Sequence, residues 1–337
     1  RVMLYAFLAD GSGRVIAEDR EPELESYLDL HYPASDIPRQ ARELYLKNRL
    51  RQIPDVDYVA LPLAPETNPV TNRPLDMSFC HLRSVSPVHI QYLRNMGVGA
   101  SMSISVIRDA RLWGLIACHH RRPHYLSCEE RAACELFGQV FSSQLGARER
   151  AAVYQHSVKQ KTVQSRLMSR LLKGDDLAGS LIGCDPHLLD YIEADGAAVW
   201  IEGKYAEVGR TPGEGNVRSI VEWRNAEPEE AVFATHHLSQ VFPPARAFAG
   251  DAAGLLALSV SRTPCDYVFW FRREVTETIT WAGNPGKSVE TPTPGGRLSP
   301  RISFAAWRET VRFQSRPWKP VEIEAAHSLR LSLLEIV

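Results

Sequence analysis

Ser101-Met102-Ser103-Ile104-Ser105-Val106-Ile107 alternates polar and apolar side chains, Arg108–Arg111 interrupts the alternation, and Leu112-Trp113-Gly114-Leu115-Ile116-Ala117-Cys118-His119 resumes it. Period two on both sides of a turn predicts an antiparallel hairpin. About 150 residues later the pattern returns: Gly254-Leu255-Leu256-Ala257-Leu258-Ser259-Val260, a turn at Thr263-Pro264-Cys265, then Tyr267-Val268-Phe269-Trp270-Phe271. A helix is expected after each hairpin, one opening at Ser127-Cys128-Glu129-Glu130 and the other at Pro320-Val321-Glu322-Ile323. The chain therefore reads as one α+β fold used twice in tandem, each copy an antiparallel sheet with flanking helices.

The second copy differs by an insertion, about Arg273 to Trp318, between its hairpin and its last helix. Between the copies, Glu129 to Lys173 has no proline and keeps an apolar stripe through Leu136, Val140, Phe141, Val153, Tyr154, Val158, Leu167, Met168, Leu171 and Leu172. Read as one helix it spans roughly 65 Å; Gly138 and Gly146 each cost about 1 kcal/mol without forcing a break. The alternative is two helices joined near Gly146. Upstream, Arg1–Leu8 and Val15–Glu18 read as strands around the turn Asp10–Gly13, and residues 36–50 read as a short helix with Ala41, Leu44 and Tyr45 on one face. The stretch from Pro54 to Pro74 is loop-rich, with one strand expected at Tyr58–Leu63. A start inside a hairpin and a last helix still apolar at its end imply further sequence on both sides. The expected domains are 1–145 and 146–337.

Thirty-nine Lys+Arg against forty Asp+Glu give the 337 residues a net charge of −1, which argues against a general nucleic-acid binder. No run of about 18 apolar residues would span a membrane. Six scattered cysteines fit no disulfide framework, and together with the absence of a signal peptide they point to a reduced, cytoplasmic compartment. Cys118, His119, His120, His124, Cys128 and Cys134 match no standard zinc spacing. No phosphate-cradling glycine loop, nucleophile elbow or kinase motif is present, so no enzyme is read here.

Several residues invite a chemical reading beside a bland one. Asp36 lies between Pro33 and Pro38, where restrained backbone could present a rigid carbonyl; it could equally cap the following helix. Arg51 and Arg83 could grip carboxylates or form surface pairs. His89 opens a helix after Ser86-Pro87-Val88. Ser101, Ser103 and Ser105 share one face of a strand, and His119 ends its partner.

In order and spacing these segments resemble the bilin-binding GAF domain of phytochromes, most closely bacteriophytochromes: Pro33-Ala34-Ser35-Asp36-Ile37-Pro38, Leu82-Arg83-Ser84-Val85-Ser86-Pro87-Val88-His89, Asn95-Met96-Gly97-Val98, and Leu112 to His120. The second half resembles the PHY domain of that family. Its insertion carries Trp281-Ala282-Gly283-Asn284-Pro285 and Pro300-Arg301-Ile302-Ser303-Phe304, similar to the motifs of the PHY tongue. The resemblance implies two tandem GAF-like domains joined by a long helix. It also implies a red/far-red photoreceptor holding biliverdin, a linear tetrapyrrole, in a pocket that includes Asp36, Ile37 and Pro38. The Asp36 carbonyl accepts from pyrrole N–H groups, with His89 stacked nearby. Arg83 and Tyr45, assisted by Arg51, hold one propionate; Ser101, Ser103 and His89 hold the other. His119 donates to the carbonyl of the rotating ring D, and Met3, Tyr5, Tyr32 and Tyr92 shape its pocket. Arg301, from the insertion, reaches back to the side chain of Asp36, and Ser303 and Trp281 belong with it to the switching tongue. Ile90 stands where some relatives attach the pigment through cysteine, so the thioether is expected on an upstream segment outside this chain.

The insertion reads two ways. As a strand, Ile302, Phe304 and Ala306 share a face; as a helix, Phe304, Trp307 and Val311 do. Such ambiguity suits a refolding switch driven by ring-D isomerisation, with the helices signalling to an absent output module. The resemblance permits a histidine kinase there, with a response regulator as partner. The long striped helices suggest a homodimer. The alternative is a tandem GAF module binding a cyclic nucleotide or another small molecule.

Overall fold

The computed structural model describes residues 1–81, 83–173, 176–183, 185–226, 230–260, 266–285, 289–290, 299–300, 304 and 306–335. They form two units, Arg1–Glu149 with Thr278–Glu309 and Arg150–Glu277 with Thr310–Val337.

The first unit contains β1 (Val2–Phe7), β2 (Gly13–Asp19), β3 (His31–Tyr32), α1 (Arg39–Lys47), β4 (Leu50–Ile53), α2 (Pro87–Asn95), β5 (Ala100–Arg108) and β6 (Arg111–His120). The hairpin read from the sequence is β5–β6, antiparallel from Ala100↔His120 to Arg108↔Arg111. Its turn residues Asp109 and Ala110 adopt φ of 48° and 59°, the left-handed pair that a tight hairpin turn demands. Helix α3 (Cys128–Leu171) follows and runs unbroken for 44 residues. Gly138 lets it approach the sheet, since a Cβ there would lie 2.4 Å from Cγ2 of Ile104.

The second unit contains α4 (Leu177–Ile182), α5 (Leu188–Tyr191), β7 (Gly196–Ile201), β8 (Lys204–Gly209), α6 (Glu214–Ala226), β9 (Val232–Thr235), α7 (Leu238–Val241), β10 (Gly254–Ser259) and β11 (Tyr267–Arg272). The chain then passes through β12 (Glu277–Ala282), β13 (Val289–Glu290), β14 (Ser299–Pro300) and β15 (Ala306–Val311) before α8 (Pro320–Leu334). The second sheet runs β8-β7-β11-β10-β9, and the first contains β2-β1-β6-β5-β4. These orders are the same strand for strand, so the tandem α+β repeat inferred from the hairpins holds. Beyond β2 the first sheet continues through β3, β12 and β15, with β12 parallel to β3 at Trp281↔His31. Of the two readings of the insertion, residues Ala306–Val311 follow the strand; Ile302 lies outside the described residues.

Alternation assigns each hairpin two surroundings. On β6, Leu115 and Ala117 join Met3, Tyr5, Tyr32 and Tyr45, whereas Ile116 and Cys118 join Leu50, Ile104, Val106 and Phe141 of α3. On β11, Val268 and Trp270 pack with Leu167, Leu171, Leu329 and Leu333. Tyr267, Phe269 and Phe271 fill the opposite side against Val217, Ile220 and Leu238. Each such aromatic contributes about 1.5–3 kcal/mol by burial.

Two local expectations fail. Tyr58–Leu63 is not a strand. Five prolines between Pro54 and Pro74 remove ladder donors, and Tyr58 instead packs against Ile53, Ile90 and Leu93. Asp36 does not cap α1; Pro38 holds that position, with no side-chain cap bond. Among the described residues no helix is long and apolar enough to cross a membrane.

Candidate functional site

Residues opposite one another in a sheet share a face. Met3 lies opposite Ala117 and Tyr5 opposite Leu115; Ser101 lies opposite His119 and Ser103 opposite Ala117; Arg51 lies opposite Ser103. Register thus brings Met3, Tyr5, Arg51, Ser101, Ser103 and His119, from four strands, to one face. Ser105, on that face too, spends its hydroxyl on the carbonyl of Tyr45 at 2.7 Å. The Tyr5 ring lies over Gly13, where a Cβ would come within 2.0 Å of its Cζ, and meets Tyr32 at 5.9 Å. Helix α1 contributes buried Tyr45, 5.4 Å from the Arg51 guanidinium. Helix α2 contributes His89 and Tyr92, whose rings stack at 6.2 Å and 13°. Ile90 turns away into the core with Ile53, Leu93 and Val98.

The polar groups here are unevenly satisfied. Nη2 of Arg51, Nε and Nη2 of Arg83 and Nδ1 of His119 are buried without a hydrogen-bond partner among the described residues. Burial lowers the Arg51 pKa; Tyr45 opposes this and neighbouring Arg83 adds to it. Burial, with Arg51 second, holds His89 down at about 4. Burial first, then Arg1 and other cations including His89, holds His119 at about 3. Both imidazoles are therefore neutral at pH 7, each with one donor and one acceptor nitrogen. Asp36 supplies a carboxylate, whose Oδ2 accepts from the Tyr92 hydroxyl at 3.0 Å. Ile37 packs onto the tyrosine cluster around Tyr5.

The insertion returns to this unit. Ala282 is buried among Met3, Tyr5 and Tyr32, and Phe304 meets the Tyr92 ring edge-on at 5.1 Å. Trp281 faces His31 at 5.6 Å and donates from Nε1 to Glu309 at 2.8 Å, so it braces the strands and does not line the tyrosine cluster. Arg301 and Ser303 lie outside the described residues, and with them the expected Arg301–Asp36 contact. The Tyr92–Asp36 bond and the Phe304 contact escaped sequence reasoning, because no local pattern joins residues so far apart. The Cys118 thiol, pushed up to about 11 by burial and then by Cys134, stays protonated. No group of three or more His, Cys, Asp or Glu side chains among the described residues could hold a metal.

The family model for the phytochrome region matches residues 160–337, and that for the GAF domain matches residues 1–148. Cyanobacterial phytochrome B of Nostoc sp. is 46% identical over 338 residues, covering 100% of this chain and 45% of that protein. A bacteriophytochrome of Xanthomonas campestris pv. campestris is 40% identical over 345 residues, covering 100% and 54%. The crystal structure of a bacteriophytochrome from the photosynthetic bacterium R. palustris superposes with a TM-score of 0.83 at 43% identity, covering 99% of this chain and 67% of that one. The phytochrome photosensory core module of Stigmatella aurantiaca gives 0.77 at 43% identity, covering 99% and 66%. The chain spans about half the length of the curated relatives it matches.

Proposed function

This chain belongs to the phytochrome family, and we propose that it is a light-sensing module whose first unit, within about residues 1–145, holds biliverdin. One observation carries the reading: buried side-chain nitrogens of Arg51, Arg83 and His119 have no hydrogen-bond partner among the described residues, Arg51 and His119 share one sheet face with Tyr5, and Arg83 neighbours Arg51. A linear tetrapyrrole has a flat apolar body, two carboxylates and a row of N–H donors. The residues present fit it. Arginine forks match carboxylates in pairs of bonds, which suits Arg51 and Arg83. The hydroxyls of Ser101 and Ser103, with neutral His89, suit the second carboxylate. The restrained carbonyl of Asp36, between Pro33 and Ile37-Pro38, suits the pyrrole donors. The apolar surfaces of clustered Met3, Tyr5, Tyr32 and Tyr45, and of Tyr92 beside Asp36, suit its flat body.

Bound there, the pigment supplies visible absorption and a methine bridge that light isomerises, turning its terminal ring D. His119, neutral and with Nδ1 unpartnered among the described residues, can give a hydrogen bond to that ring and release it without moving a proton. Tyr92 touches both Asp36 and Phe304, so a changed bond at Asp36 has a direct route to the returning strands. In this reading Arg301 and Ser303 take part in that route, and β12 and β15 exchange their pairing for another packing that the second unit, within about residues 146–337, passes to α8.

Ile90 offers no thiol, and Cys80 and Cys118 are not proposed to attach the pigment; the thioether belongs on a segment outside this chain. Exposed Leu136, Phe137 and Val140 of α3 support pairing with a second copy. A cytoplasmic setting, and a histidine kinase output acting on a response regulator, are proposed for the parent protein alone. The cyclic-nucleotide alternative is set aside, since every relative named above is a phytochrome. The test is an absorption spectrum after adding biliverdin, before and after red light. A red band that shifts reversibly supports the reading, and a colourless protein overturns it.

A further inference from the structure

Arg83 stands near a second cation, Arg51, and both guanidiniums carry buried donors without hydrogen-bond partners among the described residues. Like charges brought together repel, more so out of water. Something must hold them against that repulsion. Described residues 83–86 belong to no helix or strand, so regular secondary structure does not do it.

Two side chains grip this segment on either side of Arg83. The amide Nδ2 of Asn48 donates to the carbonyl of Cys80 at 2.9 Å. The hydroxyl of Tyr58 accepts from the backbone N–H of Val85, also at 2.9 Å. Both anchors are themselves fixed. Asn48 is buried, 3% exposed, and its own N–H closes α1 on the carbonyl of Leu44 at 2.9 Å. Tyr58 packs against Ile53, Ile90 and Leu93. Asn48 also leads directly into β4, three residues before Arg51. One amide thus ties the strand of the first arginine to the loop of the second.

We propose that Asn48 and Tyr58 are positioning residues that hold Arg83 beside Arg51, preorganising the pocket for the carboxylates of its pigment. The inference rests on the pigment reading above. A loop released from these bonds would have to be ordered again on binding, and affinity falls by that cost.

The test titrates the chain with biliverdin and with its dimethyl ester, following absorbance, for wild type, Asn48→Ala and Tyr58→Phe, each also combined with Arg83→Ala. Each single variant is expected to weaken biliverdin about ten-fold, which is about 1.4 kcal/mol, and to leave the ester unchanged. In the Arg83→Ala background neither is expected to have a further effect. Equal losses for acid and ester, or losses that persist without Arg83, overturn the positioning role. A wild type that binds neither pigment overturns the underlying reading and this inference with it. Tyr58→Phe removes one oxygen only and carries the test if Asn48→Ala fails to fold.

Discussion

The hydroxyl of Tyr92 on α2 donates to Oδ2 of Asp36 at 3.0 Å, while its ring stacks on His89 and takes the edge of Phe304. One side chain thereby connects the Pro-flanked carboxylate, the imidazole beside Arg51, and the segment that returns from the second unit's sequence.

Tyr92→Phe keeps both ring contacts and deletes this bond. A hydrogen bond to a charged group contributes about 1.5–3 kcal/mol, and partial exposure reduces that to about 1 kcal/mol here. The urea midpoint of the pigment-free chain should fall accordingly, and in the Asp36→Asn background Tyr92→Phe should cost less than it does alone. Additive losses would show that the two residues act separately.

Replacing Arg83 should move two observables in opposite directions. Arg83→Leu relieves a buried charge that stands beside Arg51, so the pigment-free chain should melt at or above the wild-type temperature. Biliverdin binding should weaken roughly 30-fold or more, as when one partner of a desolvated charge pair is removed. Equal losses of stability and affinity would mean that the arginine is structural.

Acid should destabilise the pigment-free chain through its histidines. His89 and His119 fall from the ordinary 6.5 to about 4 and about 3 in the folded chain. Above pH 6.5 they are neutral whether folded or not and contribute no pH dependence. As pH falls below that value the unfolded chain takes up protons that the folded chain refuses, so stability declines until the folded pKa values are reached. His119→Gln should flatten the decline between pH 6.5 and 3. Chemical denaturation at a series of pH values measures it, and parallel curves for wild type and variant would exclude His119.

Glu322→Gln should be strongly destabilising. Arg272 and Glu322, paired at 2.8 Å with side chains 7% and 0% exposed, join the start of the insertion to α8. The guanidinium also donates to the carbonyls of Glu193 and Pro317. Removing one partner strands a buried charge, at a cost of about 3–5 kcal/mol, whereas replacing both by apolar residues of similar volume costs far less. Urea denaturation of Glu322→Gln and of Arg272→Met with Glu322→Leu distinguishes the cases. A single variant as stable as the double would contradict the argument.

Pairing of two copies along α3, as proposed above, predicts that paired substitution of Leu136→Glu and Val140→Glu yields monomers. Both side chains are more than half exposed on α3, and charges there oppose apolar pairing of two helices. Sedimentation velocity decides it; an unchanged dimer would move the interface elsewhere.

The two hairpins, the unbroken α3 and the tandem repeat were legible because each depends on neighbours a few positions apart. Period two over Ser101–His119 needs only a sheet with unlike faces, and a proline-free stripe needs only a helix. The separated segments Pro33–Pro38, Leu82–His89, Asn95–Val98 and Leu112–His120 also pointed to the family, since several motifs agree in order and spacing. Tyr58–Leu63 misled because its apolar residues signal burial without saying in what form; Tyr58 is packed as a loop anchor.

What the chain alone settled, then, is periodicity and the inventory of chemical groups. Only the folded molecule decided that Asp36 meets Tyr92 and caps no helix, that Asn48 and Tyr58 bond the chain on either side of Arg83, and that aromatic rings fill in the second unit the side that gathers polar groups in the first. Each of these is a contact between residues distant in sequence. Its energy depends on burial and orientation, which no window of a few residues contains.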